Sequence, residues 1–353
     1  YQPHPIVAVY ARRHFFLDEL AGGEPARKAA HQKAARYYQQ AAVANNVIPD
    51  EREGISDVQP LIEAVWQFCQ AEQFQEAFEL MRQEDLFAKL RLWGVNTSLL
   101  ELCQLLLSGN WAYTPKQQAL IARYIAVTSN VLGRRQEALR YYEQALYIYR
   151  EVGDHNGEGV MLNELSLVYS ALGKKQEALH CNEQALLIHR EMGNHREEGT
   201  TLNNLGLAYK ELGLMQEALR YYEQALLIHR EVGNRREEGT TLHNLGLAYK
   251  TLEQKQEALG YYEQALRIRR EVGYREGEGN TLLSIGVVCF DLGRNDSALS
   301  GFLLAKQIFE QVQSPKVENV GRWIANLRKR VGEEQFAVLL AQVESEGMEQ
   351  VVE

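Results

Sequence analysis

Cysteine is scarce in this 353-residue chain: Cys69, Cys103, Cys181 and Cys289 stand at least 34 positions apart, with no CxxC spacing. That speaks against a disulfide framework and the common zinc motifs. Their apolar, helix-patterned neighbours predict buried, reduced thiols. Long apolar runs are missing as well. No stretch approaches the ~20 residues that a spanning helix needs, and the N-terminus lacks a basic flank followed by an apolar stretch. The expectation is a cytoplasmic chain with no membrane partner. Basic charge is in deficit, with 38 Lys and Arg against 47 Asp and Glu and a net charge of -9. Nucleic-acid binding needs clustered cations that displace counterions from phosphates, so nucleic acid is not an expected partner. What is present, 45% hydrophobic and 24% charged residues, suits a globular chain with a large core.

Catalytic signatures are lacking too. There is no HExxH and no GxSxG, and the nine histidines show no metal-ligand spacing. "GNHREEGTT" at 193–201 imitates a phosphate-binding loop, but it is one residue too long and has Thr200 where lysine is required. No catalytic residue, cofactor or metal is therefore expected. Glu197 with Glu198, and Glu237 with Glu238, fall in first helical turns, where carboxylates meet the helix dipole favourably. His189 and His229 share a repeat position with Tyr149 and Arg269, which predicts a tolerant helix surface there.

Repetition is abundant. "QEAL" begins at 136, 176, 216 and 256, and "DSAL" at 296, a period of forty without slippage. Residues 195–234 and 235–274 share 30 of 40 identities. A fixed period in this range marks a solenoid. Within one unit, Leu202, Leu205, Tyr209 and Leu212 fall on one helical face, and after Gly213 the pattern restarts at Ala218, Tyr222, Ala225 and Leu226. Gly213 and Gly233 fit left-handed helix ends, and Asp154, Asn194 and Asn234 fit N-caps. Gly206 and Gly246 lie inside a helix, where glycine costs about 1 kcal/mol against alanine. Close helix packing is the expected compensation, with Ala218 and Ala225 as the matching small surface. Of the paired tyrosines, Tyr222 and Tyr262 are expected in the core, and Tyr221 and Tyr261 partly exposed against the next repeat.

Leu205, Gly206, Tyr209, Gly213, Ala218, Tyr222 and Ala225 resemble the tetratricopeptide repeat, as do Leu245, Gly246, Tyr249, Ala258, Tyr262 and Ala265. The resemblance implies an all-α fold: a right-handed superhelical solenoid of antiparallel helix pairs, preceded by non-repeat helices. The forty-residue form is similar to that of kinesin light chains and of bacterial signalling ATPases of the STAND class. "HPIVAVYARRHF" and "RKAAHQKAARYYQQ" resemble the end of the winged-helix module in those ATPases. "LIEAVWQFCQAEQFQEAFELM" at 61–81 resembles their degenerate first helical pair. The expected organisation is a winged-helix-like end at 1–50, a degenerate helical linker at 51–112, about five repeats at 113–313 and capping helices at 314–353, with the tail from Ser345 frayed.

Stacked helical pairs line a concave wall with their first helices. The expected ligand-binding face is Asn163; Thr200, Asn203, Asn204, Leu207 and Lys210; and Thr240, His243, Asn244, Leu247 and Lys250. By resemblance, asparagines on this face bond an extended peptide's backbone and lysines meet its acidic groups. An amide serves both N–H and C=O. His243 adds a titratable group with an ordinary pKa of about 6.5. The resemblance implies a non-catalytic sensor arm that binds a protein or peptide trigger, with a small molecule as a further option, and an ATPase core upstream of Tyr1. The alternative is a free-standing scaffold that joins protein partners.

Overall fold

The computed structural model describes residues 23–44, 55–92 and 95–346, and "HPIVAVYARRHF" and the last residues of the tail lie outside them. Seventeen helices and no strand occur among the described residues. The chain divides after Val168 into two compact units.

The first unit begins with irregular helices: α1 (Glu24–Ala44), α2 (Ile55–Gln70), α3 (Phe74–Gln83), α4 (Leu86–Leu92) and α5 (Asn96–Ser108). Their shared core is built on Leu61, Val65, Phe78, Leu86, Leu99 and Ile125. Regularity starts at α6 (Pro115–Val131), which a capping box opens. Thr114 Oγ1 accepts from Gln117 N at 3.3 Å, and the Gln117 side chain accepts from Thr114 N at 2.7 Å. α7 (Arg135–Glu151) and α8 (His155–Ala171) continue the pattern.

The second unit carries α9 (Lys175–Glu191), α10 (His195–Glu211), α11 (Met215–Glu231), α12 (Arg235–Thr251), α13 (Lys255–Glu271), α14 (Arg275–Asp291) and α15 (Asn295–Gln311). It ends in α16 (Val317–Val331) and α17 (Glu333–Glu346), where the capping helices are expected. Every helix from α6 to α15 has 17 residues, and two such helices with two three-residue turns make up the period of forty.

The turns explain where each helix stops. Gly213 and Gly233 have φ of +81° and +66°, a region an L side chain enters only at a cost. The following amides close the end, with Leu214 N donating to Tyr209 O at 2.9 Å and Asn234 N to His229 O at 2.8 Å. Of the expected caps, Asp154 accepts from Gly157 N at 3.0 Å and Asn194 from Glu197 N at 3.4 Å. Asn234 makes no side-chain cap, a correction to the sequence reading: the residue is buried and its side chain does not accept from the first amides of the helix.

Gly206 and Gly246 do serve close packing, but against an aromatic ring. A Cβ on Gly206 would come within 2.5 Å of the Tyr222 ring, and one on Gly246 within 2.5 Å of the Tyr262 ring. Both tyrosines are fully buried, each contributing about 1.5–3 kcal/mol by burial. Their neighbours Tyr221 and Tyr261 stack on Tyr209 and Tyr249 of their own repeats, at 5.1 Å between centroids.

Consecutive repeats are also clasped electrostatically. Arg190 Nε meets Glu198 at 2.7 Å, Arg230 meets Glu238 at 3.0 Å, and Arg270 meets Glu278 at 3.0 Å. In the first unit Arg150 meets Glu158 at 2.7 Å. Each pair joins the last turn of a second helix to the first turn of the next first helix, where the carboxylate also faces the helix N-terminus. Burial pushes the Glu198 carboxyl up, but Arg190 and His195 outweigh it and hold it below the usual range.

Candidate functional site on the first helices

Helices α10, α12 and α14 present corresponding faces within the second unit. Thr200, Leu207 and Lys210 on α10, and Thr240, His243, Asn244, Leu247 and Lys250 on α12, are half-buried, with part of each side chain open. The threonine hydroxyls donate to their own helix, Thr200 to Arg196 O and Thr240 to Arg236 O, both at 3.2 Å.

The asparagines depart from expectation. Asn203, Asn204 and Asn163 are buried, each less than a tenth exposed. Asn203 Oδ1 accepts from Asn244 Nδ2 at 3.0 Å and from Thr241 Oγ1 at 3.3 Å, so it holds α12 against α10. Its carbonyl is occupied by the neighbouring repeat. The reason is angular: position 203 adjoins the Leu202 and Leu205 core stripe and faces the next first helix. Asn163, in the first unit, is buried on α8, where its backbone oxygen accepts from Ser166 Oγ at 2.7 Å. A buried amide paired across repeats costs stability when removed.

His243 also departs. Its ring lies tilted on Tyr262 at 5.2 Å, with Nδ1 on the buried edge and without a hydrogen-bond partner. Burial, with Arg269, Lys210 and Lys316 nearby, pushes its pKa down to about 3. The imidazole is therefore neutral through the physiological range and does not titrate near 6.5.

These groups mark a gathering of cations that periodicity alone did not reveal. Burial holds the Lys210 ammonium below the usual lysine range, despite Glu211. Lys316 Nζ reaches Glu276 and Asn280, both at 3.0 Å, and Arg236 lies 4.7 Å over the Tyr274 ring. Arg269 is buried and donates from Nη1 to Gly277 O at 2.7 Å and to Thr281 Oγ1 at 2.5 Å. The position shared by Tyr149, His189, His229 and Arg269 is thus interior, correcting the expectation of a tolerant surface. All four are buried, and His229 lies against the bare backbone of Gly199.

The four cysteines are free and buried, and burial pushes the Cys69 thiol up to about 12. Among the described residues no group of His, Cys, Asp and Glu could hold a metal ion, and no helix is long and apolar enough to cross a membrane.

Comparison with known proteins agrees with this geometry. The tetratricopeptide repeat family model matches residues 117–191 and 197–271. These residues are tetratricopeptide repeats. Among solved structures, a Rap protein complexed with competence and sporulation factor is 13% identical, with 89% of this chain and 98% of that one covered and a TM-score of 0.56. NprR in complex with its cognate peptide NprX is 21% identical, covering 74% and 75%, with a TM-score of 0.54. A STAND protein with a tetratricopeptide repeat sensor, from Pyrococcus horikoshii, is 14% identical and has a TM-score of 0.53; the match covers 92% of this chain and 56% of that protein. No curated protein sequence matches this chain. At these identities the likeness is one of fold.

Proposed function

We propose that this chain is the trigger-binding sensor arm of a STAND signalling ATPase, and that its first-helix face takes a protein or peptide carrying acidic groups. The observation that carries the reading is the set of cations on that face in a chain of net charge -9. Lys210 and Lys250 share the helix faces of Leu207 and Leu247, Arg236 lies one turn before Thr240 on α12, and Lys316 Nζ reaches Glu276 and Asn280 on α14. A partly desolvated ammonium gains most from an anionic partner, because low dielectric strengthens the pair. The fold shared with the peptide complex of NprR and with the STAND sensor supports both halves of the proposal. Thr200, Thr240 and the open part of Asn244 supply polar contacts, whereas Asn203 holds α12 against α10. Trigger binding must favour one state of the parent protein over another, or it shifts nothing.

Two experiments test the two halves. Proteins retained from native lysate by the wild-type chain should be lost from a Lys210→Ala, Lys250→Ala variant whose melting temperature is unchanged; equal retention sinks the binding face. The gene read upstream of Tyr1 should encode a P-loop and a winged helix; a start codon there would indicate a scaffold instead.

A further inference from the structure

The imidazole of His243 sits in a field of one sign. Lys210 acts on it from α10, Arg269 from α13 and Lys316 from the N-cap of α16, and among the described residues no carboxylate joins them. The carboxylates of the neighbourhood are engaged elsewhere. Glu276 is 3.0 Å from Lys316 Nζ, Glu237 lies among Arg196, Arg236 and Arg269 with Glu197 close by, and Glu211, next to Lys210 in sequence, accepts from Ser170 Oγ at 2.6 Å. Two nitrogens of the cluster are buried and unsatisfied, His243 Nδ1 and Arg269 Nε. The Arg269 guanidinium is 5% exposed, and it donates to the neutral oxygens of Gly277 and Thr281. Burying a cation without an adjacent anion is costly, so the cluster favours one supplied from outside.

We infer that the cluster around His243 binds a phosphate monoester carried by the ligand of this face. The inference rests on the reading of the face given above and names the acidic group it takes. Charge favours a dianion. A phosphate monoester brings about -1.5 to -2 charges and three acceptor oxygens at neutral pH, enough for several cations at once, whereas a carboxylate brings a single charge on two oxygens. Lysine suits the role as a compact charge on a flexible stem, so Lys210 and Lys316 can close on a tetrahedral group from two sides. The partial burial of Lys210 strengthens the pair, because low dielectric screens it less. With Nδ1 buried, Nε2 is the His243 nitrogen left for a ligand, and the neutral ring donates from it when the proton sits there. The cluster is also local. The equivalents of His243 are Asn203, already bonded to Thr241 and Asn244, and Leu283, which has no donor; those of Arg269 are His229 and Phe309. One repeat junction of the second unit therefore assembles the full set.

The test is calorimetric titration of the full chain with three matched probes, acetyl-Gly-phosphoserine-Gly-amide and the same peptide with aspartate or serine at the centre. The phosphopeptide should bind about tenfold more tightly than the aspartyl peptide, and the seryl peptide more weakly still. Lys210→Met keeps the apolar stem and should lower phosphopeptide affinity about tenfold, as should His243→Leu, which places there the side chain found at position 283. Lys306→Met, at a cation of α15 paired with Glu310, should change nothing. Phenyl phosphate separates the sources: weaker binding than the phosphopeptide assigns the phosphate to a peptide side chain, equal or tighter binding to a small phosphorylated compound, and either supports the site. Equal affinity for the phosphoseryl and aspartyl peptides overturns the phosphate inference and leaves the acidic-partner reading standing. No phosphopeptide binding in the millimolar range, unchanged affinity in both Lys210→Met and His243→Leu, or an equal loss in Lys306→Met also overturns it.

Discussion

The repeats at 195–234 and 235–274 are the same text with ten changes, and each retained residue does the same work in both. The glycine under the tyrosine, the stacked tyrosine pair and the arginine-to-glutamate clasp recur with matching distances. The changed residues diverge. At one position Asn203 bridges two repeats, while His243 lies on a ring with a buried unpaired nitrogen. At another, His229 fills space over Gly199, while Arg269 reaches through to Gly277 and Thr281. Tyr274, replacing Asn234, takes Arg236 and Arg269 against its ring. The solenoid is thus carried by the invariant packing positions, and the variable ones adjust the polar interior between repeats.

The sharpest way to break that comparison is at the shared glycine. Gly246→Ala places a methyl within 2.5–2.9 Å of three Tyr262 ring atoms, and the ring is confined on all sides. Overpacking costs about 1–3 kcal/mol and overrides the gain of about 1 kcal/mol in helix propensity. Gly206→Ala should lose a similar amount against Tyr222. In a Tyr262→Leu background the Gly246→Ala cost should shrink, as chemical denaturation would show. A neutral Gly246→Ala would mean that the ring is free to move and that glycine serves another purpose.

How much of this was legible follows from what periodicity encodes. A forty-residue period with apolar residues at helical spacing leaves little choice but helix pairs, so the repeats and the Tyr222 and Tyr262 core could be read directly. Periodicity gives the face of a helix only to within one residue position, a turn of about 100°. That error separates Asn203, buried against Thr241 and Asn244, from the more open Thr200 and Lys210. The buried position of His229 was misread because the variety of types there suggested tolerance. Its other side is a glycine in the facing helix, Gly199, Gly239 or Gly279, which leaves room for rings and guanidinium alike. The cavity lined by Ile62, Trp66, Leu102 and Tyr141 in the first unit had no sequence signal, because its walls come from helices that share no period.

A second test uses pH. Burial lowers the His229 pKa from 6.5 to about 4, with Glu238 opposing and Arg196 reinforcing the shift. The folded value lies below the free one, so on acidification the unfolded chain takes up the proton first. The stability is complete above about pH 6.5 and falls as the pH drops towards 4, by up to about 1.4 kcal/mol per pH unit for this one group. The fifth repeat offers a neutral replacement, since Phe309 occupies the corresponding place over Gly279. His229→Phe should therefore flatten the decline of the melting temperature between pH 6.5 and 4. An unchanged slope would show that the His229 proton is not linked to folding.

The smallest effect is expected at the turns, where the two repeats differ in backbone cost. Gly213 ends α10 at φ +81°, but the equivalent residue after α12 is Glu253, held at φ +60°. A side chain in the left-handed region costs about 1–2 kcal/mol, while glycine there loses more freedom on folding, so the two partly cancel. Glu253 also pairs with Lys255 at 3.2 Å, but the carboxylate is 78% exposed, and such a pair contributes little. Glu253→Gly should stabilise the chain by about 0.5–1 kcal/mol, read as a rise in the denaturation midpoint at constant slope. Gly213→Glu should cost a comparable amount, since no atom lies within 4 Å of an added Cβ and only the backbone resists. If Glu253→Gly destabilises instead, the fourth turn is held by its side chain, and the two repeats would differ in what ends their helices as well as in what joins them.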